Sequence, residues 1–164
     1  MYYETKSMLH KQGFERYEIS NYAKPGYECR HNIGYWTGTE YLGLGLGASS
    51  YIQGFRFHNE SDLSLYDKIQ MTGTDADEKL HQEITKLSDK EKMEEFMFLG
   101  LRMIKGVSGS EFFQRFGQNM WNVYGNVLNK LKDEGLIIVD MPDVRLSDYG
   151  IDVSNYVLSE FLLD

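Results

Sequence analysis

The sequence predicts an α/β chain whose second half holds three helices, a β-hairpin and a closing helix. Three observations predict it. A helix-like opening feeds a strand-like stretch, which is half of an α/β repeat. Two Ser-x-x-Glu capping boxes, Ser88 to Glu91 and Ser108 to Glu111, each open a helix. Met141-Pro142-Asp143 turns the chain between two short apolar strands.

The elements follow in order. Residues 2–12 read as a helix that Gly13 stops, and 14–19 as a strand buried on both faces of a parallel sheet. Lys24-Pro25-Gly26 is a turn, and residues 29–37 fit either a short helix or an irregular loop. Tyr41 to Ile52 reads as a glycine-rich strand. Gly54 turns it back into Phe55 to His58. Ser61 or Asp62 caps a helix over 62–71 that places Leu63, Tyr66 and Ile69 on one face. Polar residues 72–78 form a connection, and His81 to Leu87 a short edge strand.

Beyond Ser88, Met93, Phe96, Met97, Leu101 and Ile104 recur at helical spacing until Gly106. Ser108 opens a helix with Phe112, Phe113 and Phe116, ended by Gly117. Asn119 caps a third with Trp121, Tyr124, Leu128 and Leu131 on one face, ended by Gly135. Leu136 to Val139 and Val144 to Leu146 pair as a hairpin. Ser147 caps a last helix to about Leu163. Three helices, a hairpin and a helix is a winged-helix-like order.

Composition bounds the function. Hydrophobic content of 41% with 14% aromatic residues supports a packed core. The net charge of −8 argues against nucleic acid and anionic membranes, which need a positive footprint. Residues 88–164 carry 8 basic against 13 acidic side chains. In the third helix Lys130 and Lys132 are offset by Asp133 and Glu134, so no DNA-binding surface is expected there. A single cysteine forms no internal disulfide and points to a reducing cytoplasm. No apolar run approaches a membrane span. The opening begins in mid-pattern, which is expected of the back part of a larger protein.

The stretch from Tyr17 to Tyr51 concentrates the chemistry. One thiolate, Cys29, cannot hold an iron–sulfur cluster, and Cys29 with His31 lacks a second ligand pair for zinc. His31 admits two readings: a loop imidazole bonded to a carbonyl, or an axial ligand to haem iron with Tyr35 and Trp36 covering a porphyrin face. Glu18 and Asn21, at the end of the expected parallel strand, either line a ligand site or cap the next turn. The Leu-Gly repeat at 42–47 has neither Gly-x-Gly-x-x-Gly spacing nor Gly-Lys-Ser/Thr, so it is no phosphate loop. It fits a strand packed closely on another backbone.

Three strings carry a resemblance: Tyr17 to Asn21 leading to Glu28 to Asn32 and Tyr35-Trp36; Tyr41 to Gly45 with Gly47-Ala48 and Ser50-Tyr51; and Arg56 with Asn59. Together they resemble the oxygen-independent coproporphyrinogen III oxidase family, and within it the HemW-type haem chaperones. Residues 100–107 and 115–117 are similar to the C-terminal domain of that family. The resemblance implies the last elements of a partial radical-SAM barrel followed by a winged-helix-like C-terminal domain. Its divisions would be 1–72 for the barrel end, 73–87 for a connection and 88–164 for the HemN C-terminal domain.

It also implies a [4Fe-4S] cluster and S-adenosylmethionine (SAM) held by residues upstream of this stretch. Haem or a porphyrin would be the ligand and a haem-acceptor protein the partner. The haem-associated His-Asn-x-x-Tyr-Trp motif falls on His31, Asn32, Tyr35 and Trp36, with His31 on the iron. Glu18, Asn21, Arg56 and Asn59 are implied as ligand-pocket residues, and no catalytic residue is expected in this chain. Leu46 stands where the family has Pro and Ser49 where it has His, which removes any site that would use that second His. The alternatives are coproporphyrinogen III dehydrogenation to protoporphyrinogen IX, and a winged-helix module that docks a protein.

Overall fold

In a computed structural model, residues 2–69 and 79–163 are described. The chain order is α1 (Tyr2–Lys11), β1 (Glu15–Arg16), β2 (Tyr22–Ala23), α2 (Arg30–Trp36), β3 (Ser49–Ile52), β4 (Phe55–Asn59), α3 (Leu63–Tyr66), β5 (His81–Lys86), α4 (Asp89–Gly100), α5 (Gly109–Phe116), α6 (Met120–Asp133), β6 (Ile137–Asp140), β7 (Asp143–Leu146), α7 (Asp148–Asp152) and α8 (Ser154–Ser159). Two compact units form, Met1–Gly38 with Asp89–Asp164, and Thr39–Ser88. The expected grouping of residues 1–72 therefore differs from the units formed. Residues 1–38 go with the C-terminal half because Tyr17 to Ile19 pairs with Arg102 to Ile104. Ile19 N donates to Arg102 O at 3.0 Å and Ile104 N to Tyr17 O at 3.1 Å, with Glu18 bridged to Met103 between them.

That pairing also explains two corrections to the sequence reading. The expected parallel strand over 14–19 is a two-residue antiparallel pair, with Glu15 opposite Ala23 and Arg16 opposite Tyr22. The helix expected to reach Gly106 stops at Gly100, because Leu101 to Ile104 is used for turns and the bridge. At 29–37 the chain is helical, as α2.

In the larger unit α4, α5 and α6 pack around Met97, Leu101, Phe112, Leu128 and Leu131, all with no solvent exposure. Phe112 meets Phe96, Phe116 and Tyr124 ring to ring. The hairpin β6–β7 pairs Ile137 with Leu146 and Asp140 with Asp143 across a cis Met141–Pro142 bond. Val107, between α4 and α5, exchanges both backbone hydrogen bonds with Val144. Asn119 caps α6 by accepting from Trp121 N at 2.8 Å, and Ser147 caps α7 by accepting from Gly150 N at 2.9 Å. Ser108 makes no side-chain cap bond. Instead Gly109 N donates to Asp143 Oδ1 of the hairpin turn. The closing helix is broken at Val153 (φ −113°, ψ 29°), which lets Ile151, Val157 and Phe161 all turn inward.

In the smaller unit the sheet order is β3-β4-β5, with all pairs antiparallel. The β3–β4 turn is Gln53-Gly54, both at positive φ (51° and 77°), the conformation that suits a two-residue hairpin. The glycine-rich strand expected over Tyr41 to Ile52 is strand only at Ser49–Ile52. Gly45 and Gly47 take φ of +97° and +64°, which bends 42–48 into a loop. Gly43 alone fits the close-packing expectation, since a Cβ there would lie 2.3 Å from Ser49 O. The helix expected over 62–71 is described as Leu63–Tyr66, with Asp62 as its cap. The connection expected over 72–78 lies outside the described residues.

Candidate functional site

The His-Asn-x-x-Tyr-Trp motif occupies α2. His31 and Tyr35 stand one helical turn apart on the same face. Both are exposed, Tyr35 at 37%, and their rings meet edge to face with centroids 4.7 Å apart. No hydrogen bond to the exposed His31 ring is made among the described residues. A ring of this kind can take a metal at its unprotonated nitrogen.

Trp36 turns the other way. Its ring lies 4.3 Å from the Arg102 guanidinium carbon. Its indole Nε1 is buried without a hydrogen-bond partner, and so is Arg102 Nε. Asn32 is half-buried on the same helix. The motif thus divides: His31 and Tyr35 face out, while Trp36 packs on the C-terminal half.

Of the other sequence candidates, Glu18 and Asn21 share the unit of α2, and Arg56 and Asn59 lie in the second unit. Glu18 is fully buried. Its Oε1 accepts from Ser20 N at 3.0 Å, which is the turn-capping alternative, and its Oε2 has no partner. Asn21 is exposed and its carbonyl accepts from Tyr17 N. Arg56 lies over the Tyr51 ring at 5.6 Å. Asn59, only 4% exposed, spends its amide on the glycine loop, donating to Gly43 O at 3.3 Å and Gly45 O at 2.8 Å. Ser50 Oγ accepts from Gly43 N at 3.0 Å on the same loop. These contacts hold a bend whose leucines, Leu42, Leu44 and Leu46, point to solvent.

Two arginines that sequence reasoning did not single out meet α2. Arg102 stacks on Trp36, and Arg115 donates through both Nη atoms to Thr37 O, each at 3.3 Å. Their only sequence signal was membership in the strings 100–107 and 115–117. A cleft of about 460 Å³ lies elsewhere in the same unit, beside α1, β1 and α7. Its polar side chains pair with neighbours: Lys6 with Asp148, His10 with Glu15, and Arg16 with the Tyr22 hydroxyl. Among the described residues no group of three or more His, Cys, Asp or Glu side chains is placed to hold a metal ion. No described helix is long and apolar enough to cross a membrane.

Residues 87–153 match the HemN C-terminal domain family. Over the whole chain the sequence is 37% identical to the heme chaperone HemW of Lactococcus lactis. It is 36% identical over 163 residues to the heme chaperone HemW of Bacillus subtilis. The chain spans 42% of the length of each of these relatives. Among solved structures, coproporphyrinogen III oxidase (HemN) from Escherichia coli, a radical SAM enzyme, superposes with a TM-score of 0.74 over 98% of this chain and 40% of its own, at 17% identity. That likeness shows the fold, an α/β arrangement shared with part of HemN. Over its whole length the chain is thus similar to part of the HemN/HemW-type radical SAM proteins, and its residues 87–153 carry the HemN C-terminal domain.

Proposed function

We propose that this chain supplies the haem-gripping helix of a HemW-like protein that binds haem and passes it to acceptor proteins in the cytoplasm. The observation that carries the reading is the outward pair on α2: an exposed His31 imidazole that meets the Tyr35 ring edge to face. The donor set fits the cargo. A neutral imidazole on an exposed helix face can approach haem iron along its axis, and an aromatic one turn away can cover part of the ring. Asn32 is the neighbouring polar contact. Trp36 contributes through the packing of α2 instead of through its exposed face. A [4Fe-4S] cluster and SAM belong to this proposal at the level of the longer protein. One cysteine, Cys29, does not supply the thiolates a cluster needs.

For the C-terminal half, the order α4, α5, α6, β6–β7 supports a winged-helix reading. The acidic balance of 88–164 makes a protein partner the better fit than nucleic acid. Glu18, Asn21, Arg56 and Asn59 remain proposed pocket residues of the longer protein, with Glu18 and Asn59 in supporting positions because they are buried.

The test is a haem titration of the HemW-like protein that contains this chain, run beside an anaerobic assay with coproporphyrinogen III. His31→Ala is expected to shift the Soret band and weaken haem binding at least about tenfold, since an axial ligand contributes directly to affinity. Far-UV circular dichroism should stay unchanged. An unaltered spectrum and affinity would remove His31 as the ligand. Turnover of coproporphyrinogen III would move the assignment to the oxidase.

A further inference from the structure

We propose that Arg102 and Arg115 are positioning residues, a two-point clamp from the HemN C-terminal domain that fixes α2 and thereby the direction in which His31 and Tyr35 face. The functional consequence rests on the haem-binding reading of α2; the clamp itself rests on geometry. α2 has seven residues, no buried residue, and no side-chain cap at its N-terminal Cys29. A helix of two turns is marginal without tertiary support. Its support is concentrated at one end. Thr37 closes the helix, with its N–H and its hydroxyl both on Ile33 O at 2.9 Å. The carbonyl of Thr37 then receives the Arg115 fork, both N–H groups at 3.3 Å. A cation there also meets the negative end of the helix dipole. Arg115 is itself held by an ion pair to Glu111 and lies over the Phe96 ring at 5.3 Å. Phe96 and Glu111 belong to α4 and α5, so the anchor is rigid.

The second point is Trp36 on Arg102, 4.3 Å from guanidinium carbon to ring centroid. Both facing nitrogens, Trp36 Nε1 and Arg102 Nε, are buried without hydrogen bonds. The contact therefore works through stacking and the attraction of the cation to the ring face. Helix geometry converts this into aim. Successive residues turn by about 100°, so positions 31 and 35 lie within about 40° of each other and 36 lies about 100° from 35. Pinning Trp36 inward fixes the outward azimuth of the other two, and pinning Thr37 fixes their height along the axis.

The experiment is hydrogen exchange on the full chain with Arg102→Ala and Arg115→Ala, reading the amides of 33–37 against those of α6 as an internal control. Each variant is expected to speed exchange in α2 at least about tenfold while α6 keeps its protection. Arg102→Lys should fail to restore α2, because the planar guanidinium is lost. Arg115→Lys should restore it in part, because a point charge still reaches Thr37 O. If an arginine variant also loses protection in α6, Trp36→Leu serves in its place. It removes the ring face and leaves the charge, and it should loosen α2 alone. Wild-type exchange in α2 of the alanine variants, or of Trp36→Leu, overturns the clamp whether or not haem binds.

A hemin titration of the same substitutions, made in the HemW-like protein that contains this chain, separates the two readings. With the clamp cut, affinity should fall about tenfold while the Soret maximum stays that of the wild type, unlike His31→Ala. Loosened exchange with a wild type that takes no haem through His31 supports the clamp and defeats the haem reading. Loosened exchange with unaltered hemin affinity confines the clamp to structure and overturns its role in aiming the site.

Discussion

Three glycines show how much of the fold is decided at single Cα positions. Gly150, in the first turns of α7, faces the backbone of Leu136: a Cβ there would sit 1.9 Å from Leu136 O. Gly106 has φ of +74°, and a Cβ would sit 2.0 Å from Val144 O. Gly125, in α6, has nothing within 4 Å of the added atom and no positive φ. Gly150→Ala should therefore destabilise the protein by about 2–3 kcal/mol through overpacking against a backbone that cannot retreat. Gly125→Ala should stabilise it by about 0.5–1 kcal/mol through helix propensity. Urea unfolding of both variants checks the pair, and similar shifts in the two would defeat the argument. The sequence shows all three only as glycines. It marks Gly106 as a helix stop, but the contact that makes it obligatory lies 38 residues downstream, beyond any local pattern. Ser108 is the converse case. Its capping box is legible, yet Asp143 of the hairpin reaches Gly109 N and the serine is not used.

At the scale of elements, helices with strong periodicity are legible and short strands are not. α6 starts at the expected cap and buries Tyr124, Leu128 and Leu131. The stretch 14–19 misleads because imperfect alternation fits both a buried parallel strand and a segment that pairs for one residue with a distant turn. The β4–β5 pair carries a titratable contact of this local kind. His58 Nδ1 donates to Asn59 O at 2.8 Å, and its Nε2 lies 3.4 Å from the Glu83 carboxylate. The carbonyl bond, reinforced by Glu83 and Glu60 and opposed by partial burial, raises the imidazole above its usual 6.5. The folded chain therefore favours protonated His58. Its contribution is complete below about 6.5 and is lost as pH rises through the raised folded value. An NMR titration should place the His58 midpoint above 6.5, and His58→Gln should flatten the fall in β5 amide protection on going from about pH 6 to 8. A midpoint at or below the ordinary value would contradict the assignment.

At the scale of the whole molecule, the surprise is the company that residues 1–38 keep. Composition shifts near 72–78 suggest a boundary there, and the capping box at Ser88 suggests a fresh start. Hydrophobic periodicity cannot show that Ile19 packs against the core built by α4, α5 and α6, or that Trp36 lies on Arg102. Those are contacts between segments separated by an entire three-stranded sheet in the sequence, and no local signal encodes them. They imply that the stretch matching the HemN C-terminal domain is not energetically self-contained. A fragment of residues 88–164 would lose the hydrogen bonds Ile19 N to Arg102 O and Ile104 N to Tyr17 O, each worth about 1 kcal/mol net. It would also lose the apolar cover from Ile19, and the Trp36 ring on Arg102. Its unfolding free energy should fall at least about 2 kcal/mol below that of the same unit in the full chain, read as a lower urea midpoint. The Ile104 amide, which donates across that junction, should go from slow to fast exchange, while amides within α6 keep their order of protection. A fragment with the midpoint and the Ile104 protection of the full chain would show that residues 1–38 merely rest on the C-terminal half, and the pairing at Tyr17 to Ile19 would then carry no stability.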